Sequence, residues 1–294
     1  MAKESKLNLG QPNWRVPTIL TAFAEGDKFA PALYEAFRRD IKERFGDNQY
    51  LNVLTLVQAG KDNPAYMTGS NTFSASRLDN MVRPFNMRVV TLADLSNPQV
   101  LSMVKDNHYS DTPAFVVQSN KDNREQNRGI LKQVTELAES KAGSIKYPFM
   151  VQGFDVVPSE EDRAGYGLKV VARPDFAVAQ DERLSGKNNE KQFTDVDELG
   201  LPKFDKNGKR QFFARDNGIS GLYLVSDLNL SANDDNLANS NEDGRVVLVS
   251  GEATGADFIR QYQAQLREQV EARKSELDKW FTQSMVNMPT GRGK

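Results

Sequence analysis

The chain has no cysteine and one histidine, His108. Its fold therefore has no disulfide to staple it, and no cysteine-bearing zinc site or iron–sulfur cluster to organise it. A hydrophobic core and hydrogen bonds must hold it together. The same absences narrow the chemistry: a Ser-His-Asp triad or a histidine metal site would rest on His108 alone.

The 294 residues suffice for one large domain or two modest ones. Sixteen Phe supply much of the core volume in a chain that is otherwise polar. The formal net charge of -2 lacks the basic excess of a generic polyanion binder, although a local basic patch remains compatible with it. No run approaches the roughly 18 consecutive apolar residues of a membrane helix. The charged start, Met1 to Lys6, has no apolar leader segment. The expectation is a cytoplasmic protein, or a virion component, without a membrane partner.

Residues 1–28 read as an arm, broken by Gly10, Pro12 and Pro17 and anchored by Trp14. Phe29, Leu33, Phe37, Ile41 and Phe45 recur every fourth residue and predict a helix stopped by Gly46. Residues 50–59 look β-like. Residues 60–85, poor in aliphatics and rich in Gly, Asn, Ser and Thr, read as a long loop with at most a short hairpin. Strands are expected at 87–92 and 114–118, and helices at 97–105 and 124–140. Residues 29–142 thus read as a small α/β region.

From 143 to 252 the pattern changes to short alternating runs. Asn207-Gly208, Asn217-Gly218 and Asp243-Gly244 tolerate the positive φ of two-residue hairpin turns. This predicts a mainly antiparallel β domain, a barrel or a sandwich. Residues 253–288 predict a long helix, opened by the capping spacing of Thr254 and Asp257 and about 40 Å long. A basic tail, 289–294, follows. The fold class is α+β.

No phosphate loop or dinucleotide fingerprint is present, and no cofactor, metal site or catalytic residue is assigned. His108 reads as a loop histidine. The Asn/Asp-rich segment 233–243 reads as a solvated hairpin loop in preference to a cation site. A hairpin from Lys203 to Arg215 interleaves Lys203, Lys206, Lys209, Arg210 and Arg215 with Phe204, Phe212 and Phe213. Cations beside aromatic platforms on a β surface suit single-stranded nucleic acid. Phe212 and Phe213, being adjacent, must point to opposite faces. Trp14 on the arm and Tyr262, Leu266, Leu277, Trp280 and Phe281 on the final helix are the candidate partner-binding residues.

The arm, the turn-rich β region, the long last helix and the scarcity of Cys and His match the style of self-assembling structural proteins, virion components included. The leading expectation is a non-enzymatic structural or scaffolding protein forming homo-oligomers. Single-stranded nucleic-acid binding is the alternative, and a carboxylate- or metal-dependent enzyme ranks last.

Overall fold

The four-residue recurrence from Phe29 forms a helix, α1 (Phe29–Phe45), which follows a short strand, β1 (Thr18–Leu20). Leu33, Phe37 and Ile41 are buried, as a single apolar stripe requires. The computed structural model describes residues 18–20, 29–57, 66–85, 87–98, 100–101, 108–162 and 165–250. Trp14, most of the arm, residues 102–105 of the expected 97–105 helix, and the whole of 253–294 lie outside the described residues.

Among the described residues of the expected 50–59 strand, only Thr55–Val57 pairs, as β2, with β3 (Tyr66–Thr68). Leu51 and Leu54 are buried from the turns before it. That explains why apolar residues fell on both parities there.

The long loop expected at 60–85 is instead occupied in large part by a helix, α2 (Thr72–Val82). Asn71 caps it, with its side chain accepting from Ser74 N while Ser74 Oγ accepts from Asn71 N. Nine of its residues, Thr72 to Asp79 and Val82, are buried, so no polar face betrays it as amphipathic. Its small Ser and Ala residues let it lie close to the sheet, and its polar groups find partners there: Ser76 Oγ donates to Phe154 O at 2.7 Å.

The remaining elements are β4 (Met87–Val89), β5 (Tyr109–Val117), α3 (Arg128–Ala142), β6 (Phe149–Pro158), β7 (Leu168–Gln180), β8 (Lys191–Val196), β9 (Pro202–Phe204), β10 (Arg210–Ala214), β11 (Ile219–Leu224), β12 (Leu230–Ala232), β13 (Gly244–Arg245) and β14 (Leu248–Ser250). Strands β1, β14 and β4 form a small sheet. The other eleven form one large sheet, with a path β2-β3-β13-β5-β11-β12-β10-β8-β9. It forks at β5, whose start pairs with β13 and whose end pairs with β6, which in turn carries β7.

Strand β5 is buried on both faces. Phe115 meets Phe73 of α2 at 5.8 Å and stacks on Phe154 of β6 at 4.8 Å, on the helix side. Ala114 and Val116 join Phe193, Phe212, Leu222, Leu224, Leu230 and Val249 in a core on the other side. Pro113 cannot donate to a neighbour, and the β5–β11 register shifts across it.

Three expectations are corrected here. The sheet is open, with β2 and β9 at the ends of its path, so there is no closed barrel among the described residues. A boundary at 142/143 does not divide the structure, since β5 pairs with both β6 and β11 across it. Among the described residues the composition change there marks the last α-helix of one shared core, and the chain divides into Met1–Glu252 and Ala253–Lys294.

The third concerns the turns. None of the three Gly dipeptides joins paired neighbours: β8 lies between β9 and β10, and β12 lies between β10 and β11. The strands flanking Asp243-Gly244, β12 and β13, are also not neighbours. At Gly208 the chain crosses β8, and a Cβ there would come within 2.3 Å of Phe193 O. The segment 203–215 is therefore a crossover and not a hairpin. Among the described residues no helix is long and apolar enough to cross a membrane.

Candidate functional site

The cationic and aromatic residues of 203–215 separate in the structure. Lys203, Lys206 and Lys209 are exposed, and Lys203 Nζ lies 3.4 Å from Asp195. Phe204 is half-buried beside the core, with Lys191 Nζ 5.5 Å above its ring. Phe212 is core, and Phe213 sits half-buried on the opposite face. Arg210 turns inward. Its guanidinium lies 4.4 Å from the Phe193 ring, its Nε donates to Leu228 O at 2.7 Å, and burial brings its pKa down to about 10. Arg215 also turns inward, donating to Ile219 O at 2.9 Å and lying 3.4 Å from Asp122. The segment thus presents three exposed lysines, one of them paired with Asp195, and two half-buried rings, Phe204 and Phe213.

The other buried charges link elements to one another. Arg77 holds Asp40 of α1 through Nε and Nη2, each at 2.7 Å, and Asp155 of β6 through Nη1 at 2.6 Å. Asp79, fully buried, receives Arg173 of β7 at 2.6 Å, Arg83 at 2.9 Å and Val89 N at 2.7 Å. Asp122 accepts from Arg124 N, Ile219 N and Asn127 Nδ2. In these clusters each acid serves as a tie between chain segments.

The segment 233–243 is not a free loop between paired strands. It crosses the helix side of the sheet as a strap. Asn127 Nδ2 donates to Asp235 O at 2.8 Å, Asn71 Nδ2 to Ala238 O at 3.5 Å, and Arg124 reaches the Asp235 carboxylate at 3.3 Å. The strap's own Leu237 is buried. Its Asp234 holds the strap's own turn, accepting from Asn236 N at 2.8 Å and Asn239 Nδ2 at 2.6 Å. At the end of the strap Tyr109 N donates to Asp243 O at 3.0 Å, and just past it Gly69 N donates to Gly244 O at 2.8 Å.

The strap's Asp234 also acts on a buried acid, Asp111. Asp111 is buried, and Ser70 Oγ, just ahead of α2, donates to its Oδ2. Burial pushes the Asp111 carboxyl up to about 7; the Ser70 hydrogen bond opposes this and the Asp234 carboxylate adds to it. Tyr109 and Tyr223 flank it, their ring centroids 5.5 Å apart. Burial raises both phenols, and Asp111 and Asp234 raise them further. By register, Asp111, Tyr223, Ser231 and Phe213 form one row across β5, β11, β12 and β10. This cluster can hold or release one proton near neutrality.

Sequence reasoning missed this cluster. One signal was legible: Tyr109 and Asp111 share the parity of Phe115 and Val117, which places an acid on an otherwise apolar face. His108 itself is half-buried in the wall of a cleft of about 640 Å³ beside Thr55, Thr68, Asn241 and Asp243. Among the described residues no three His, Asp or Glu side chains come together to hold a metal ion. Compared with protein-family models, with curated proteins and with solved structures, the chain matches none.

Proposed function

We propose that this chain is a non-enzymatic structural or scaffolding protein that assembles with copies of itself. The observation that carries the reading is the division of the chain at Glu252/Ala253. Before it stands a body whose buried charges are spent on tying its own segments together. After it comes a segment of about the size at which a chain no longer buries enough surface to be stable alone. That segment carries the apolar stripe with Tyr262, Leu266, Leu277, Trp280 and Phe281. The equivalent stripe of a second copy, related by a two-fold axis, is a natural cover for it.

Light scattering of the full chain across a concentration series tests this. Assembly gives a mass above one chain that falls on dilution and falls further in Trp280→Ala. A monomeric mass at every concentration refutes it. Single-stranded nucleic-acid binding stands second, supported by the exposed Lys203, Lys206 and Lys209 and by Lys191 over Phe204. An oligonucleotide binding isotherm at low salt decides it, because phosphate contacts lose affinity steeply as salt rises.

A further inference from the structure

We propose that the cleft between the loop leaving β5 and one face of α3 binds a small hydroxylated phosphate monoester, with Lys121 and Arg128 holding the phosphate. The inference is independent of how the chain assembles.

The cleft encloses about 670 Å³, within the size range of small-molecule sites. Its helical wall is Arg128, Leu131, Lys132, Thr135 and Glu136, the series that one side of a helix presents. Its other wall is residues 120–123. That loop is fixed from behind. Ser119 Oγ accepts from Gly218 N at 3.1 Å and donates to Lys121 O at 3.0 Å. Asp122 accepts from Arg124 N through Oδ1 and from Ile219 N through Oδ2, each at 2.8 Å. Arg215 lies 3.4 Å from the same Oδ2. A wall held in this way needs little ordering when a ligand arrives.

The charges of the two walls do not cancel. Asp122 belongs to the lining, but its side chain is 0% exposed and both its oxygens are committed to backbone donors. Glu136 is taken up by Lys132, 3.9 Å away. Lys121 and Arg128 are exposed, and among the described residues no acid pairs with either. Elsewhere in the body Arg77, Arg173 and Arg183 each hold an acid within 2.7 Å. Thr135 Oγ1, in the helical wall, is buried and has no hydrogen-bond partner, so folding alone leaves it unsatisfied.

A phosphate answers both cations: a guanidinium grips two of its oxygens at once, and an ammonium adds a point charge. Asn120 and Asn123 bring amides to the same cleft, and amides pair with hydroxyls. No aromatic ring lines it, so a nucleobase finds no platform to stack on. The chemistry therefore favours a phosphate on a short polar body over a nucleic-acid strand.

Isothermal titration calorimetry of the full chain with glycerol 3-phosphate, at constant ionic strength, tests this. The expected result is saturable binding with a Kd of about 1 mM or tighter, weaker binding of inorganic phosphate, and none of glycerol. Arg128→Gln and Lys121→Gln should each weaken binding by at least about 10-fold, since each removes a charge-assisted contact. Lys206→Gln, an exposed lysine on the crossover between β9 and β10, should leave it unchanged. All three replaced side chains are exposed, so the unfolding midpoint without ligand should stay at its wild-type value and a lost fold will not mimic lost binding. Absence of saturable binding overturns the proposal. So does binding that survives in both cleft variants, or an equal loss in Lys206→Gln, which would mark a general charge effect. A single-stranded oligothymidylate that binds through Lys121 and Arg128 where glycerol 3-phosphate does not would overturn it in favour of a nucleic-acid surface.

Discussion

Replacing Arg77 with Met removes the cation at which α1, α2 and β6 meet. The Arg77 side chain is 4% exposed, and its partners Asp40 and Asp155 are 18% and 8% exposed. The two acids are left in different positions. Asp40 is near enough to the surface to be hydrated, and it keeps Arg44 at 3.8 Å. Asp155 keeps Val156 N at 2.8 Å and Asn80 Nδ2 at 2.6 Å, but it loses its direct ion pair inside the core. Burial already raises its carboxyl against the pull of Arg77. Stranding one charge of a buried pair costs about 3–5 kcal/mol. For a body of this size that is a drop of roughly 6–20 °C in melting temperature.

Urea unfolding at neutral pH measures the loss directly. Added salt should not close the gap, since screening acts on exposed pairs. Arg77→Met with Asp155→Asn should regain about half or more of the loss, because the stranded charge is gone. Without Arg77, the native Asp155 carboxyl rises further above its unfolded value. Its ionisation penalty is then fully felt above that native value and fades as pH falls through it, so the deficit should shrink towards acid pH. A loss under about 1 kcal/mol would place the pair with ordinary surface salt bridges and refute the reasoning. So would a double variant no better than the single one.

Asp111→Asn should abolish a component of the pH dependence of global stability. The folded carboxyl titrates near 7 against an ordinary 3.8, so wild type should lose up to about 4 kcal/mol relative to the variant as pH rises from about 4 to 8; parallel stability curves would count against a buried neutral acid. Gly153→Ala should destabilise by more than about 2 kcal/mol, since Gly153 has φ +74° and an added Cβ would meet Asp175 O at 2.4 Å; calorimetry reads the shift. Trp280→Ala should lower the mass seen by light scattering and make the unfolding midpoint depend on concentration, whereas a cavity-type loss of about 3–5 kcal/mol at unchanged mass would mean that the ring packs within its own chain. If the exposed lysines bind single strands, Lys203→Ala with Lys206→Ala and Lys209→Ala should weaken binding and flatten its salt dependence; unchanged affinity would remove that reading.

The helices α1 and α3 were legible because their signal is local. The stripe Phe29 to Phe45, and Ile130, Leu131 and Val134 in α3, need only the chain's own 3.6-residue period to be recognised. The strand alternations at Leu168 to Ala172 and Leu222 to Leu224 were legible for the same reason. The opposite facing of Phe212 and Phe213 likewise follows from the pleat alone.

Only the tertiary structure decided which strands meet. The Asn-Gly dipeptides announce positive φ, as at Gly218, but positive φ does not say whether the next strand returns beside the last or crosses it. Helix α2 stayed hidden because the partners that excuse its polar residues are far away in the chain: those of Arg77 lie 37 and 78 residues off. Asp111 is an ordinary acid in the sequence. Its carboxyl is pushed up to about 7 only when folding buries it, with a smaller addition from Asp234 and against the hydrogen bond from Ser70. Local period is a property of neighbouring residues and can be read along the chain. Strand order, burial and protonation are set by contacts between distant residues, which exist only once the chain has closed on itself.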